Sequence, residues 1–126
     1  MVRITSEPID PSKMYEMMSA QGAGSVVLHF AVVKPQAGEG GTTSYIDYGT
    51  KGDAEAELQS IAAELSSTFI LTDTLLIRRT GRLGLGEIIS LAAASSPNSE
   101  DAFAACKLGI SRLRKMKSIV KNEVCG

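Results

Sequence analysis

Tryptophan is absent from this sequence, and other aromatic residues are few: 126 residues include three phenylalanines and three tyrosines. We therefore expect a core of aliphatic side chains and alanine. His29 is the only histidine, and the two cysteines, Cys106 and Cys125, form no Cys-x-x-Cys pair. These counts exclude a multi-histidine or paired-cysteine metal site, and we expect neither a bound metal nor another cofactor.

Neither sign of charge is in excess, because 13 lysines and arginines stand against 14 aspartates and glutamates, for a net charge of -1. This balance argues against nucleic acid as a partner of the whole chain. No apolar run reaches the ~18 residues that a membrane-spanning helix needs, so no membrane partner is expected. Arg3, Glu7 and Asp10 interrupt the start of the chain, which speaks against a signal peptide there and favours a cytoplasmic protein.

The hydrophobic pattern predicts a single α+β domain over residues 1–126. Strand and helix segments do not alternate regularly, and this favours a mostly antiparallel sheet with flanking helices. Helices are predicted to begin at Asp10, at Asp53, and at Asn98 or Ser99, where these residues can cap free N–H groups. Strands are predicted at Val2–Thr5, Ser25–Val33, Thr43–Tyr48, Phe69–Thr80 and Ile88–Ala94, with a strand or an extended arm at Met116–Val124.

Two glycine-rich segments and one helix face complete this picture. Lys34–Ser44 is predicted to be a loop or the end of a hairpin. Gly81–Gly86 does not have the glycine order of a dinucleotide-binding loop, and a strand follows it, so we interpret it as a turn or bulge. The last helix is predicted to turn one apolar stripe to the core: Phe103, Cys106, Ile110 and Leu113.

Positive charge is concentrated near the C-terminus, because six basic residues and no acidic ones stand between Asp101 and Glu123. If this segment is helical, Lys107 and Arg114 lie two turns apart on one face, and Lys121 extends that line. Two interpretations stay open: a site for a phosphate or carboxylate, and a solvated helix face. Nucleic-acid binding is the weakest hypothesis, because no aromatic residue is interleaved.

Two residues near the first long strand have alternative interpretations. Lys34 is a cation at the strand end beside a flexible segment, which suits either a functional loop or plain surface. His29 lies among apolar residues with no second ligand type nearby in the sequence. We interpret it as a half-buried, hydrogen-bonded strand residue.

Four short motifs follow one another in a fixed order, with an acidic, alanine-rich helix at Ala54–Leu65 among them. They are Gly22-Ala23-Gly24-Ser25-Val26-Val27, Arg79-Thr80-Gly81-Arg82-Leu83-Gly84-Leu85-Gly86-Glu87, Ser95-Ser96-Pro97 and Ala102-Phe103-Ala104-Ala105-Cys106. In this order and spacing, from about Pro8 to Val124, the chain resembles the large, catalytic subunit of molybdopterin synthase.

The resemblance implies the fold of that family, the α/β hammerhead, and a reaction that converts cyclic pyranopterin monophosphate to molybdopterin. The sulfur comes from the thiocarboxylated Gly-Gly tail of a ubiquitin-like small subunit, which inserts into the large subunit. Large subunits of the family pair, and each pocket borrows residues from its neighbour. The implied partners are therefore the small sulfur-carrier subunit, the pterin phosphate substrate and a second copy of the chain, in a homodimer that forms a heterotetramer with the small subunit.

By the same resemblance, the catalytic positions fall on Lys121 and Arg114. The substrate-binding positions fall on Lys34, Asn98, Ser99, Lys115, Asn122 and Glu123, with Asn98 and Ser99 supplied by the neighbouring subunit. Arg114 stands where the family has lysine, and Asn98-Ser99 stands where it has His-Arg. Arginine stays protonated and can only orient or stabilise an anion, whereas Lys121 can serve as a base or nucleophile.

These departures leave two hypotheses open. The chain is either a synthase subunit that transfers sulfur, or a catalytically impaired paralogue that binds the small sulfur-carrier subunit or a pterin without turnover. In both cases the homodimer interface is expected near Phe69–Thr80 and Ile88–Ala94. The second of these strands is apolar on both faces, so one face could be left for a partner; the alternative is that both faces are buried within a single domain.

Overall fold

The computed structural model describes residues 1–38 and 41–125, and three α-helices and eight strands lie within them. The helices are α1 (Pro11–Met14), which continues as a 3₁₀ turn at Tyr15–Met17, α2 (Ala54–Thr68) and α3 (Ser99–Arg114). The strands are β1 (Val2–Thr5), β2 (Ser25–Val32), β3 (Ala37–Gly38), β4 (Gly41–Thr50), β5 (Asp73–Arg79), β6 (Gly81–Gly84), β7 (Ile88–Ser96) and β8 (Ile119–Cys125). The predicted α+β fold with mostly antiparallel strands is confirmed.

The first sheet has the strand order β1-β5-β7-β2, in which β1 is parallel to β5 and the other neighbours are antiparallel. Helices α2 and α3 cover one face, where Leu58 packs with Leu76 and Ala92. The segment around α1 covers the other face, where Met14 packs with Leu91. Because successive strand residues point to opposite faces, β5 and β7 are buried on both sides within one chain.

Strand β7 is therefore the centre of the domain. Ala92, Ala93 and Ala94 are each no more than 2% exposed. The expectation that one face of this strand is left for a partner subunit is wrong, because the helices and the α1 segment already cover both faces.

The second sheet is built on β4. Ile46 of this strand pairs with Leu83 of β6 and with Glu123 of β8, so β6 and β8 lie on its opposite edges. The short strand β3 pairs antiparallel with the start of β4. Ile46 and Leu83 form a small core with Val33 and Tyr48. The C-terminal segment is thus a strand rather than an extended arm, and it is placed close to the end of the first sheet.

The predicted capping residues begin all three helices. The side chains of Asp10, Asp53 and Asn98 each accept a hydrogen bond from a backbone N–H two or three residues further on, at 2.8–3.0 Å. Asn98, rather than Ser99, is the cap of α3. These bonds satisfy N–H groups that have no partner within the helix.

Two segments differ from their predicted form, and a third takes one of its two predicted forms. Gly81–Gly84 is strand β6 rather than a turn, because it pairs with β4. The long strand begins at Asp73 rather than Phe69, because Phe69 still donates its backbone N–H to Leu65 at the end of α2. Of the two predictions for Lys34–Ser44, the hairpin end agrees with the structure, because β3 pairs antiparallel with the start of β4; residues 39 and 40 of that prediction lie outside the described residues.

The buried face of α3 also differs from the prediction. Cys106 and Leu113 are buried as expected, but Phe103 is 63% exposed. Gly109 takes part in the buried face instead, and a Cβ added there would lie 3.5 Å from Leu65. Small residues on this face let the helix lie close to α2 and the sheet, and the large Phe103 points to the other side.

No helix within the described residues is long and apolar enough to cross a membrane. Within the same ranges, no three His, Cys, Asp or Glu side chains are placed to share a metal ion. Cys106 and Cys125 are both free thiols.

Candidate active site

A cavity of about 650 Å³ opens between the two sheets and the C-terminal end of α3. Residues of β2, β4, β5, β7 and β8 contribute to its walls, together with the last turns of α3. Apolar side chains such as Ile46, Ile89 and Leu113 share these walls with charged ones. The volume and the mixed lining are those of a small-molecule site.

Four of the predicted site residues line this cavity, although they are distant in the sequence. Lys34 follows β2, Arg114 ends α3, and both Lys121 and Glu123 lie on β8. The pairing of β8 with β4 brings the C-terminal pair next to the other two. Both predicted catalytic residues and two of the predicted substrate-binding residues therefore meet in one place.

Lys121 and Glu123 point to the same side of β8, because they are two residues apart on a strand. The Nζ of Lys121 lies 3.7 Å from Oε1 of Glu123. The other carboxylate oxygen of Glu123 accepts a hydrogen bond from the Thr43 hydroxyl at 3.1 Å. The Lys121 side chain is 52% exposed, so its amine is positioned by Glu123 and still open to a ligand.

The start of β8 is fixed by Glu57 of α2. Its carboxylate accepts hydrogen bonds from the backbone N–H groups of Lys117 and Ser118, both at 2.9 Å, and from the Ser118 hydroxyl. Burial acts to raise the pKa of Glu57, but these hydrogen bonds outweigh it and hold the pKa below its ordinary value. An ionised Glu57 thus anchors the strand that carries Lys121.

Two predicted substrate-binding residues near the cavity do not line it. Asn122 points away from it, because it alternates with Lys121 and Glu123 along β8. Lys115 follows the last residue of α3 and is exposed to solvent. The assignment of Lys115 and Asn122 to the substrate therefore has no support in this cavity.

Asn98 and Ser99 lie at the other end of α3 from Arg114. A helix of 16 residues is about 24 Å long, so neither residue reaches the cavity of its own chain. Both are exposed, and the side-chain oxygen of Asn98 is already bound to the backbone N–H of Asp101. Their role in the site of a neighbouring subunit stays a prediction.

The predicted line of cations along one helix face is wrong, because α3 ends at Arg114 and Lys121 lies on a strand. A cationic cluster exists all the same. Among the described residues, the cavity is lined by the four cations Lys34, Arg78, Arg114 and Lys121 and by one carboxylate, Glu123. This excess of positive charge suits an anionic ligand.

Sequence reasoning missed Arg78 of β5, and it treated His29 as an ordinary strand residue. His29 is half-buried on β2, as predicted, but it also lines the cavity. Arg78 is only 8% exposed, and its guanidinium carbon lies 4.5 Å from the centroid of the Tyr48 ring. A signal existed in the sequence, because an arginine that follows the apolar run Leu75–Ile77 continues a buried strand, and buried charges are rare unless they are paired.

The charge of Arg78 is permanent despite its surroundings. Burial lowers the pKa of the guanidinium, and the neighbouring Tyr48 side chain opposes the decrease. Arginine nevertheless remains protonated in proteins. Arg78 therefore places a fixed positive charge in the wall of the cavity.

Neither cysteine lines the cavity. The Cys106 thiol donates to the carbonyl of Ala92 at 3.2 Å, and burial raises its pKa to about 11. Such a thiol is almost entirely protonated near neutral pH and is a poor nucleophile. Chemistry at this site therefore depends on nitrogen and oxygen groups of the chain.

Comparison with known proteins places this architecture among named relatives. The sequence matches the family model described as "MoaE protein" over residues 4–116. The molybdopterin synthase catalytic subunit of Staphylococcus aureus (strain COL) is 30% identical over 122 residues, which are 96% of this chain and 82% of that protein.

Solved structures agree with the sequence match. The crystal structure of molybdopterin synthase from Staphylococcus aureus has a TM-score of 0.88 at 29% identity, and the match covers 98% of this chain and 90% of that one. A chain from the complex of subunits 1 and 2 of molybdopterin-converting factor from Helicobacter pylori shares the fold at 13% identity, with a TM-score of 0.75 and coverage of 98% and 84%.

The matched residues run from β1 to just beyond α3, and so include the ordered motifs between Gly22 and Cys106. The resemblance predicted from those motifs is confirmed. The chain belongs to the MoaE family.

Proposed function

We propose that this chain is the catalytic subunit of a molybdopterin synthase and acts in molybdenum cofactor biosynthesis. It transfers sulfur from a thiocarboxylated, ubiquitin-like small subunit to cyclic pyranopterin monophosphate, and molybdopterin is the product. The observation that carries the proposal is the cavity, where two lysines and two arginines surround one carboxylate in the fold of this family. A pterin phosphate and a thiocarboxylate are both anionic, so the charge of the cavity complements both reactants.

Lys121 is the proposed catalytic residue. A lysine amine in its unprotonated form can act as a base or nucleophile. Two contacts support its position: Glu123 lies 3.7 Å from its Nζ, and Glu57 anchors the start of its strand. Glu123 is thus proposed to hold the amine as well as to face the substrate.

Arg114 and Lys34 are proposed to bind the anionic groups of the reactants. Arg114 keeps its proton, so its part is to orient or stabilise an anion rather than to transfer a proton. Lys34 lines the same cavity from the segment that follows β2. Charges supplied from different elements let the cavity surround a phosphate.

The partners belong to the proposal as well. They are the ubiquitin-like small subunit and a second copy of this chain, together a heterotetramer, in the cytoplasm. The structural relative from Helicobacter pylori is part of a complex of two different subunits, which supports a two-subunit enzyme. Asn98 and Ser99 are proposed to complete the cavity of the neighbouring copy, because they lie too far along α3 to serve their own.

A second candidate function is binding of the small subunit or a pterin without turnover. The observation that favours it is the composition of the site: Arg114 cannot exchange a proton, and the only histidine among the lining residues, His29, comes from β2 rather than from the start of α3. Under this hypothesis the cavity still binds anions, since its positive charge is retained.

Reconstitution separates the two candidates. The purified chain is mixed with the thiocarboxylated small subunit and cyclic pyranopterin monophosphate, and the pterin products are identified by mass spectrometry. We expect molybdopterin to form at a rate proportional to the concentration of this chain. Binding of the small subunit with no product above a control lacking the chain would reject the synthase and support the second candidate.

A further inference from the structure

Arg78 is the most deeply buried of the charged residues that line the cavity. Lys34, Arg114 and Lys121 are exposed, whereas Arg78 is 8% exposed. Its Nε has no hydrogen-bond partner among residues 1–38 and 41–125. Buried polar groups in native proteins are nearly always satisfied, so an unpartnered nitrogen in an arginine that lines a cavity calls for an explanation.

The adjacent Arg79 is buried as well, and its Nε also has no hydrogen-bond partner among the described residues, but the charge of Arg79 is paired. Arg79 points to the other face of β5, and its Nη1 donates to the carboxylate of Glu87 at 2.9 Å. Arg78 has no such carboxylate within ion-pair distance in the described part of the chain. Glu87 thus neutralises the charge of Arg79, whereas Arg78 brings an unneutralised charge to the lining of the cavity.

The position of Arg78 is also rigid. Its backbone lies on an inner strand of the first sheet, opposite Ser90, which lines the cavity as well. Its guanidinium carbon lies 4.5 Å from the centroid of the Tyr48 ring, in a cation–π contact that restricts its orientation. A charge held on a sheet and stacked on a ring is already in place before any ligand arrives.

We infer that Arg78 is the fixed anion-binding residue of the cavity, and that an oxyanion of the ligand, a phosphate or a carboxylate, is the anionic partner its guanidinium lacks among the described residues. The planar guanidinium matches either group with two parallel hydrogen bonds. The inference deepens the proposed function and rests on it only for the identity of the ligand, because binding of a simple anion is measured without any reaction.

Arg82 provides a matched control for Arg78. Its guanidinium carbon also lies over a tyrosine of β4, 3.9 Å from the centroid of the Tyr45 ring. Arg82, however, is paired with Asp47, has a side chain that is 63% exposed, and does not line the cavity. The variants R78M and R82M therefore remove similar arginine–tyrosine stacks, one at the cavity and one at the surface.

The experiment measures binding of inorganic phosphate to the full chain by calorimetry and by the phosphate-dependent rise in melting temperature. For R78M we expect the dissociation constant to rise about tenfold or more, as for the loss of a charge-assisted hydrogen bond. R82M should bind within about twofold of wild type. R78K should lie between wild type and R78M, since lysine keeps the charge without the planar fork.

The melting temperature without phosphate gives an independent readout, because R78M should lose phosphate affinity without losing stability. Removing an unpaired buried charge is neutral or stabilising, so R78M should melt at the same temperature as wild type or higher when phosphate is absent. A purely structural Arg78 predicts the reverse: a lower melting temperature with unchanged phosphate binding. That result, or an equal loss of binding in R82M, would overturn the inference.

A measurement on the wild-type protein does not depend on the folding of R78M. The NMR signal of the Arg78 Nε–H, assigned by correlation with the other side-chain and backbone resonances of the same residue, should shift on addition of phosphate. The Arg82 signal should stay in place. An Arg78 signal that does not respond to saturating phosphate contradicts the inference.

Two further ligands identify the source of the oxyanion. Phenyl phosphate represents a phosphate ester, and N-acetylglycine represents the carboxylate of a peptide terminus. The ligand whose affinity falls in R78M represents the natural oxyanion. If R78M binds both ligands as tightly as wild type does, the inference is overturned. If the wild-type chain binds phosphate through Arg78 but makes no molybdopterin, the inference holds and the proposed function fails. If molybdopterin forms but R78M binds phosphate as tightly as wild type does, the proposed function holds and the inference fails.

Discussion

The Nζ of Lys121 lies 3.7 Å from Oε1 of Glu123, and both side chains line the same cavity. The Thr43 hydroxyl holds the other oxygen of Glu123 at 3.1 Å. Lys121 is therefore linked through Glu123 to Thr43 of β4. This arrangement keeps a half-exposed amine in one place without burying it, as a group that must meet a diffusing reactant requires.

Replacement of Lys121 by alanine tests this arrangement. We expect K121A to lower the rate of molybdopterin formation about a hundredfold or more, the usual size of a lost proton-transferring group. The melting temperature should hardly change, because the side chain is 52% exposed. K107A, at an exposed lysine of α3 outside the cavity, should turn over like wild type. Normal product formation by K121A would remove this residue from the mechanism.

The features that could be predicted from the sequence are local ones. The capping residues Asp53 and Asn98 predict where the two long helices begin, because a cap binds N–H groups within three residues of itself. Phe103 was misassigned because its spacing fits an apolar stripe, whereas Ala105 and Gly109 give little hydrophobic signal although they form the close contact.

The cavity was predictable only in part. Ordered family motifs placed Lys34, Arg114, Lys121 and Glu123, and these four residues do meet. Arg78 could not be placed by the same reasoning, because its contact with Tyr48 joins two different sheets and residues 30 positions apart. The apolar run before Arg78 indicates that this residue is buried, but its contact with Tyr48 depends on how the two sheets pack and cannot be derived from either strand alone.

Glu57 is expected to support both stability and the position of β8. E57Q should lower the free energy of unfolding at pH 7 by about 1–2 kcal/mol, because it weakens charge-assisted hydrogen bonds to Lys117 and Ser118. The folded-state pKa of Glu57 lies below the ordinary value of 4.5, so the contribution is present above that value and is lost as the pH falls through the folded pKa.

The difference between wild type and E57Q should accordingly be full at pH 7 and should shrink as the pH falls below 4.5, the ordinary pKa of a glutamate, and through the lower pKa of the folded state. Urea unfolding at a series of pH values measures it. E55Q removes a carboxylate from the same first turn of α2 without these bonds and is the control for helix-dipole effects. A deficit of equal size in E55Q, or one that grows as the pH falls, would contradict this role of Glu57.

Gly24 is expected to be intolerant of any side chain. A Cβ there would lie 2.7 Å from the carbonyl oxygen of Pro97, a backbone atom that cannot rotate away. G24A should therefore lower the free energy of unfolding by about 1–3 kcal/mol, as overpacking does. Gly49 has nothing within 4 Å of the corresponding position, so G49A should change stability far less. Equal stability of the two variants in thermal unfolding would refute the steric argument.

The Cys106 thiol is expected to be inert in the folded protein. Its pKa of about 11 and its burial leave very little thiolate at pH 7.5. A thiol reagent should therefore label one site per native chain, Cys125, and two sites after unfolding. C106A should retain sulfur transfer if it folds, since the residue does not line the cavity. Rapid labelling of Cys106 in the native chain would show that its surroundings are open.

The last prediction concerns the homodimer. Because both faces of β7 are buried within the chain, a different surface must serve, and the start of α3 offers one. Ile70 and Phe103 are 68% and 63% exposed, and the Asp101 carboxylate ties the backbone of Ile70 to the first turn of α3 at 2.8 Å. This apolar pair lies beside Asn98 and Ser99, the residues proposed to enter the neighbouring cavity. Pairing through it would bury two large side chains and place those polar residues at the interface.

Light scattering at micromolar concentration should therefore give the mass of a dimer for the wild-type chain. F103E should raise the dimer dissociation constant at least tenfold, because each buried aromatic side chain contributes about 2 kcal/mol. Y15E, at an exposed tyrosine of the 3₁₀ turn, should leave the dimer intact. A wild-type monomer would defeat both the dimer and the shared cavity, whereas a dimer insensitive to F103E would defeat only this choice of surface.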